Sequence, residues 1–406
     1  MDYHLDLCGL WDFAYRADRT FDLDTLPSDQ EFCTDMPIPG YWDDHLDHLK
    51  HTSLWSRDVR FNPNYRQIEY PLGTGKPFDT SLPFLLGNGW YRRRLRIPAQ
   101  WKDHVVLLRI AGAKMDLAVW INGQPIILHQ NHLAGLCLPI QKMLCPGETN
   151  EIILGVSNLR QNLVSCETRG YKGFSAGIYG PVSIEASPQY AISDVYAYPD
   201  PDLNTLHVEV EGTGLDSVSP RFHWSIRETS EGPALLEGVS DTDHFACSIE
   251  GLTPWSDQNP CLYHLEVQAY LGNVPCGRYA RRLGIRYLQT RGQSILLNGT
   301  PTLLRGLTDH GYFPLTCTPP MDTAYYRKAV QKYQEIGFNW IRFHTTAPHE
   351  AYLDACDELG MMVQVEAPNG FNNAQWEQIL RRCRRHPSVV LYCGGNEVPL
   401  TDSILD

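Results

Sequence analysis

Along this chain the hydrophobic and polar positions follow two patterns in turn. Up to about residue 287 the apolar residues come in short alternating runs, among them "VVLLRIAG", "LAVWINGQPIILHQ", "EIILGVSN", "LHVEVEG", "RFHWSIRE" and "CLYHLEVQAYLG". A period of two, broken at Gly, Pro and Asn, is that of half-buried strands, and no helical period interrupts it. The spacing predicts an all-β sandwich over residues 1–187 and a second, with the length of a seven-stranded immunoglobulin-like sandwich, over 188–287. Asn122-Gly123, between "LAVWI" and "PIIL", is the strongest turn signal, because both residues tolerate the positive φ of a two-residue hairpin.

After "QSILLNGTPTLLRG" the pattern changes. Asp322 or Thr323 caps a predicted helix with Tyr326, Ala329, Val330, Tyr333 and Ile336 on one face, and Gly337 ends it. "FNWIRFH" reads as a strand. Tyr352, Ala355, Cys356 and Leu359 mark a second helix ended by Gly360, and "MMVQV" the next strand. Trp376, Ile379, Leu380 and Cys383 mark a third helix, stopped by His386-Pro387, and "SVVLYC" a closing strand. With "TLLRG" as the first strand, this alternation predicts about four parallel βα units, doubly wound or barrel.

A length of 406 residues exceeds one ordinary core and fits two to three domains. The formal charge of -13 excludes nucleic acid and anionic membrane as partners, since the electrostatic part of such binding would be repulsive. The opening "MDYHLDLCGLWDFAYR" has no signal-like apolar core, and no stretch has the ~18 apolar residues of a membrane span, so a soluble, cytoplasmic protein is expected. The 12 cysteines stand singly in apolar segments with no ligand spacing, which reads as buried free thiols without a metal.

Phrases in a fixed order then carry a resemblance: "GNGWYRRRLRIP", "AVWINGQPI", "AGIYGPVSI", "NPCLYHLEV", "GIRYLQTRGQSILLNGTPTLLRG", "IGFNWIRFHTTAPHEAYLDACDELGMMVQVEAP" and "HPSVVLYCGGNE". Over essentially its whole length the chain resembles glycoside hydrolase family 2, which includes β-galactosidases, β-glucuronidases and β-mannosidases. The resemblance implies a jelly-roll sugar-binding domain over 1–187, an immunoglobulin-like sandwich over 188–287 and the N-terminal half of a (β/α)8 TIM barrel over 288–406. The nucleophilic Glu of the family follows the seventh barrel strand, so the chain is expected to be an incomplete fragment lacking it. Retaining β-glycosidase chemistry needs two carboxyl groups ~5–5.5 Å apart and no cofactor.

The same resemblance gives Glu397 the role of general acid/base and Asn396 that of binding the sugar's 2-hydroxyl. Arg342 and His344 leave the second parallel strand, where the family has an Arg near the nucleophile and a His shaping the sugar pocket. His310 matches a His of the first-strand loop, although Thr308 and Asp309 replace the usual Asn and Arg. Glu366 ends the third strand, as pocket lining or behind it. Glu366 and Glu397 lie on adjacent strands, but the family does not use that pair.

Two further features compete with structural explanations. His45, His48 and His51 have a spacing that could hold a metal on a helix, and a surface loop is the expectation. Trp42, Trp55, Trp90 and Tyr91 offer rings for stacking on sugars, while Trp90-Tyr91 begins a strand and is expected in the core. The expected partner is a carbohydrate, homo-oligomerisation stays open, and the rival to an enzyme is a non-catalytic carbohydrate-binding protein.

Overall fold

A computed structural model describes residues 3–16, 21–24, 26–49, 87–114, 116–129, 135–159, 176–215, 219–311, 313, 319–368 and 373–397. Two antiparallel sheets make the first layer pair. The six-stranded sheet runs in the order Thr34–Ile38, Gly9–Arg16, Asn88–Arg96, Thr149–Ser157, Asp116–Ile121, Gln124–His129. The four-stranded sheet runs Tyr3–Asp6, Val182–Pro188, His104–Ile110, Leu136–Pro139. Trp11, Phe13, Tyr91, Val119 and Leu154 from one sheet meet Val106, Leu108 and Ile184 from the other. Each such side chain contributes about 1.5–3 kcal/mol by leaving water.

The outer face of the six-stranded sheet is covered too. Ala14, Trp90, Trp120 and Ile153 are buried there under Phe21, Leu23, Leu26 and Phe32. Trp90 and Tyr91 are therefore core residues on opposite faces of one strand, and Trp42 is fully buried as well, so none of the three presents a ring to a sugar. Trp55 lies outside the described residues. Asn122 and Gly123 adopt φ of 50° and 75° between their two strands, the hairpin geometry that their sequence requires.

The histidine run forms a 3-10 segment, Trp42–Leu49, where a loop was expected. His48 Nδ1 sits 2.5 Å from Asp35 Oδ1, and the His45 and His48 rings are 6.0 Å apart. His51 lies outside the described residues.

Seven antiparallel strands form the second sandwich. Tyr190–Pro199, Thr205–Gly214 and His244–Ser248 face Ala234–Ser240, Arg221–Arg227, Tyr263–Leu271 and Val274–Leu283. Ile192, Val195, Val208, Phe222, Leu265 and Val267 fill the space between. A small antiparallel meander, Leu288–Arg291, Ser294–Leu297 and Thr300–Pro301, leads out of it.

The remainder is a four-stranded parallel sheet in sequence order: Gly306–Asp309, Trp340–Phe343, Met362–Glu366, Val389–Cys393. Helices Thr323–Glu335, Glu350–Leu359 and Asn373–Cys383 connect the strands. Asp322 caps the first helix by accepting from Ala324 N–H, and Gly360 ends the second in the left-handed conformation at φ 78°.

Three sequence expectations need correction. The first parallel strand takes in only the last residue of "TLLRG", Gly306, where only a glycine lets the backbone approach Trp340, and runs on to Asp309; Leu303 is 69% exposed. Ile336 leaves the apolar face because the helix stops at Glu335, turning Ile336 outward to 68% exposure. The ten described cysteines are all free, but only Cys276, Cys356 and Cys383 are buried, while Cys33 and Cys145 are exposed. Among the described residues no helix is long and apolar enough to cross a membrane.

Candidate active site

In a parallel sheet the carboxyl ends of the strands share one edge, and ligand-binding groups gather there. Four of these strand ends deliver the polar residues singled out by sequence. Asp309 and His310 follow from the first strand, Arg342 and His344 from the second, Glu366 from the third, and Asn396 and Glu397 from the fourth.

Glu366 is the anchor. Its side chain has no exposed surface, and both carboxylate oxygens are occupied. Oε1 accepts from Thr345 N–H at 2.8 Å, and Oε2 accepts from Arg342 Nε and Nη2 at 2.9 and 2.7 Å. Such charge-assisted bonds are what make a buried carboxylate tolerable. Thr345 itself is fully buried at φ 51°, a rare conformation for a β-branched residue, and in it the N–H reaches Glu366. Neither the role nor the conformation of Thr345 has a signal in the sequence.

From Glu366 the network continues to the fourth strand. Arg342 Nη2 also donates to Asn396 Oδ1 at 3.0 Å. Since a guanidinium only donates, the amide oxygen of Asn396 must face it, which leaves the NH2 group free of that contact and able to donate elsewhere. Glu397 is exposed, with φ 53°, and makes no hydrogen bond to another described residue. Glu366 and Glu397 thus differ in kind: one is buried and fully engaged, the other open to a ligand.

His310 and His344 pack ring against ring at 4.6 Å. Burial, and after it the neighbouring His344, lower the pKa of His310, so its imidazole is neutral near pH 7. Asp309 is committed to structure: its oxygens accept from Gly311 N–H at 2.8 Å and from the Tyr352 hydroxyl at 2.9 Å. Tyr352 in turn stacks on Tyr326 at 4.4 Å. That use of Asp309, at a position where the sequence departs from the family pattern, was not predictable from its neighbours.

All six predicted site residues therefore fall at one sheet edge, with Arg342, Glu366 and Asn396 in a single hydrogen-bonded chain and His310 and His344 in contact. Among the described residues, Asp354, Asp357 and His386 have ligand atoms within 4.8 Å of one another. These atoms already serve each other and the protein: His386 Nδ1 bonds Asp357 Oδ2 at 2.6 Å, Arg282 pairs with Asp354, and Ser388 N–H donates to Asp357 Oδ1 at 3.0 Å. Asp354 and Asp357 lie on the second helix and His386 in the turn between the third helix and the fourth strand, away from the carboxyl edge of the sheet.

Comparison with known proteins agrees with this architecture. The family described as "Glycosyl hydrolases family 2, sugar binding domain" matches residues 5–188. A β-galactosidase of Arthrobacter sp. (strain B7) is 25% identical over 396 residues, covering 89% of this chain and 35% of that protein. A putative β-glucuronidase of Formosa agariphila is 23% identical over 348 residues, covering 79% of this chain and 41% of that protein. The chain thus spans well under half the length of these curated relatives. Among solved structures, Faecalibacterium prausnitzii β-glucuronidase superposes with a TM-score of 0.70 at 21% identity, over 98% of this chain and 68% of that one. With its sugar-binding domain, its sandwich sheets and its parallel strands following in the same order, the chain is homologous over most of its length to glycoside hydrolase family 2, the family of β-galactosidases and β-glucuronidases.

Proposed function

We propose that this chain is the N-terminal part of a cytoplasmic retaining β-glycosidase. In this reading residues 1–187 are a jelly-roll sugar-binding domain, 188–287 an immunoglobulin-like domain, and 288–406 the first half of a TIM barrel. The observation that carries it is the bridge from buried Glu366 through Arg342 to Asn396, which fixes the strand end beside the exposed Glu397. Glu397 protonates the glycosidic oxygen and then takes a proton from the water that releases the sugar. Asn396 donates its NH2 to the sugar's 2-hydroxyl, while His310 and His344 line the pocket. No cofactor takes part.

A second carboxylate is required, and Glu366 cannot supply it. Its three donors hold it as an ion-paired structural group with no free oxygen. The nucleophile is accordingly assigned to sequence outside these 406 residues, consistent with the fraction of each relative that the chain spans. The 406-residue chain alone would bind carbohydrate without hydrolysing it, which is also the behaviour of the rival, non-catalytic reading.

The test uses the longest gene product containing this chain, assayed on aryl β-galactosides and β-glucuronides with good and poor leaving groups. Glu397→Gln is expected to lose most turnover on poor leaving groups, keep more on activated ones, and recover its second step with azide. Equal loss on both kinds without azide rescue removes Glu397 from the acid/base role. Absence of turnover in the unaltered longest product favours the binding protein.

A further inference from the structure

The outer face of the four-stranded sheet in the second sandwich carries a cleft of about 540 Å³. The strand Arg221–Arg227 runs through that sheet between Ala234–Ser240 and Tyr263–Leu271. Its residues Phe222 and Ile226 enter the core, so by alternation His223, Ser225 and Arg227 point outward. Ser225 stands opposite Glu237 in one neighbouring strand and opposite Glu266 in the other. A short side chain between two long ones makes a trough, with walls about 10 Å apart at their Cα atoms, two strand spacings. Ser225 is its floor. Arg227 closes one end, its Nε donating to Ser225 Oγ at 3.2 Å, and His223, packed against Tyr270 at 4.4 Å, closes the other.

The fold leaves much of the hydrogen-bonding capacity of this trough unused. Glu237 has no hydrogen bond or ion pair to any described residue, and Glu266 engages only Oε2, which accepts from Arg278 Nη2 at 2.8 Å. Arg227 uses only Nε among the described residues, so both terminal nitrogens can donate. The two carboxylates are balanced by the guanidinium groups of Arg227 and Arg278. A phosphate-rich or polycationic ligand therefore gains no net attraction here, and the polar walls disfavour a purely apolar one. A saccharide matches both features: its hydroxyls donate to carboxylates and accept from a guanidinium, and the C–H face of its ring covers the aromatic pair at the far end. The volume also falls within the roughly 300–1,000 Å³ of small-molecule sites.

We infer that this trough binds a short neutral oligosaccharide, with Glu237 and Glu266 accepting from its hydroxyls, Arg227 donating to them, and Tyr270 against one sugar ring. The site belongs neither to the carboxyl edge of the parallel strands nor to residues 5–188, which match the sugar-binding domain, so it does not rest on the glycosidase reading.

The test is isothermal titration of the 406-residue chain with cellotriose, galactotriose and mannotriose, with trilysine and trigalacturonate as charged comparators. At least one neutral trisaccharide is expected to bind, and Glu237→Ala and Tyr270→Ala are each expected to weaken it about tenfold. A trisaccharide that binds both variants as tightly as the unaltered chain sits elsewhere and overturns the site. So does the absence of binding by all three, or a charged comparator that binds in their place and depends on Glu237. Should either variant fail to fold, hydrogen exchange of the unaltered chain decides. Slower exchange in Arg221–Arg227 and Ala234–Ser240 with the trisaccharide bound supports the site, and unchanged exchange there overturns it.

Discussion

Arg342 stands between Glu366 and Asn396, donating to the carboxylate of the first at 2.7 and 2.9 Å and to the amide oxygen of the second at 3.0 Å. One cation thus ties together residues from the ends of three adjacent parallel strands. Its loss would act on stability and on the orientation of Asn396 together.

For stability, Arg342→Met leaves the Glu366 carboxylate buried with only the Thr345 N–H, and breaking such a pair costs about 3–5 kcal/mol. Glu366→Gln should cost less, since an amide oxygen can still accept from Thr345. In the double variant the two losses should add to less than their sum, because the partners are in contact. Urea unfolding followed by far-ultraviolet circular dichroism measures all three. An Arg342→Met chain as stable as the original would mean that the pair is effectively screened by water.

A pH dependence follows from His386, whose Nδ1 lies 2.6 Å from Asp357 Oδ2 and Nε2 3.2 Å from Glu350 Oε1. Burial disfavours its charge, but the two carboxylates outweigh burial and raise the pKa to about 10. In the unfolded chain it is about 6.5. The folded state therefore holds the proton more tightly, so this stabilisation is complete below about pH 6.5 and is lost as the pH rises through about 10. Melting temperatures from pH 6 to 10.5 should fall more steeply for the original protein than for His386→Gln, which should start lower. Parallel curves would show that His386 is not the titrating group.

The parallel sheet makes a third prediction. Among the described residues, Val389–Cys393 pairs only with Met362–Glu366, and Gly306–Asp309 only with Trp340–Phe343. Tyr392 on the first of these edges is 40% exposed. An uncovered edge exchanges its amides readily and invites association. In hydrogen exchange of the 406-residue chain, Val389–Cys393 should exchange roughly tenfold faster or more than Thr149–Ser157, which is paired on both sides. Limited proteolysis should likewise cut within the parallel sheet before the strands of the two sandwiches. Equal protection in a monodisperse sample would mean that another strand covers the edge.

Local pattern was enough for most of the secondary structure. The alternation in "LAVWINGQPIILHQ", the positive-φ pair Asn122-Gly123, the cap at Asp322 and the stop at Gly360 each act through neighbours within a few residues, so each was legible without a fold. The motif order also placed the six candidate residues near strand ends, and the structure brings all six to one edge. Two errors arose where local rules lose force: Ile336 keeps the helical spacing but falls beyond the last turn, and the first parallel strand starts at Gly306 because Trp340 must lie against it.

Local pattern thus set the order of strands and helices and the chemical types available at the sheet edge. Tertiary structure alone decided how those groups are used. The partners of Arg342 lie 24 and 54 residues away in sequence, those of His386 29 and 36, and Arg384 reaches Asp194 across 190. Periodicity carries no information over such separations, and burial decides the rest: the same Glu stands open to solvent when exposed, as at 397, and is an ion-paired strut when enclosed, as at 366.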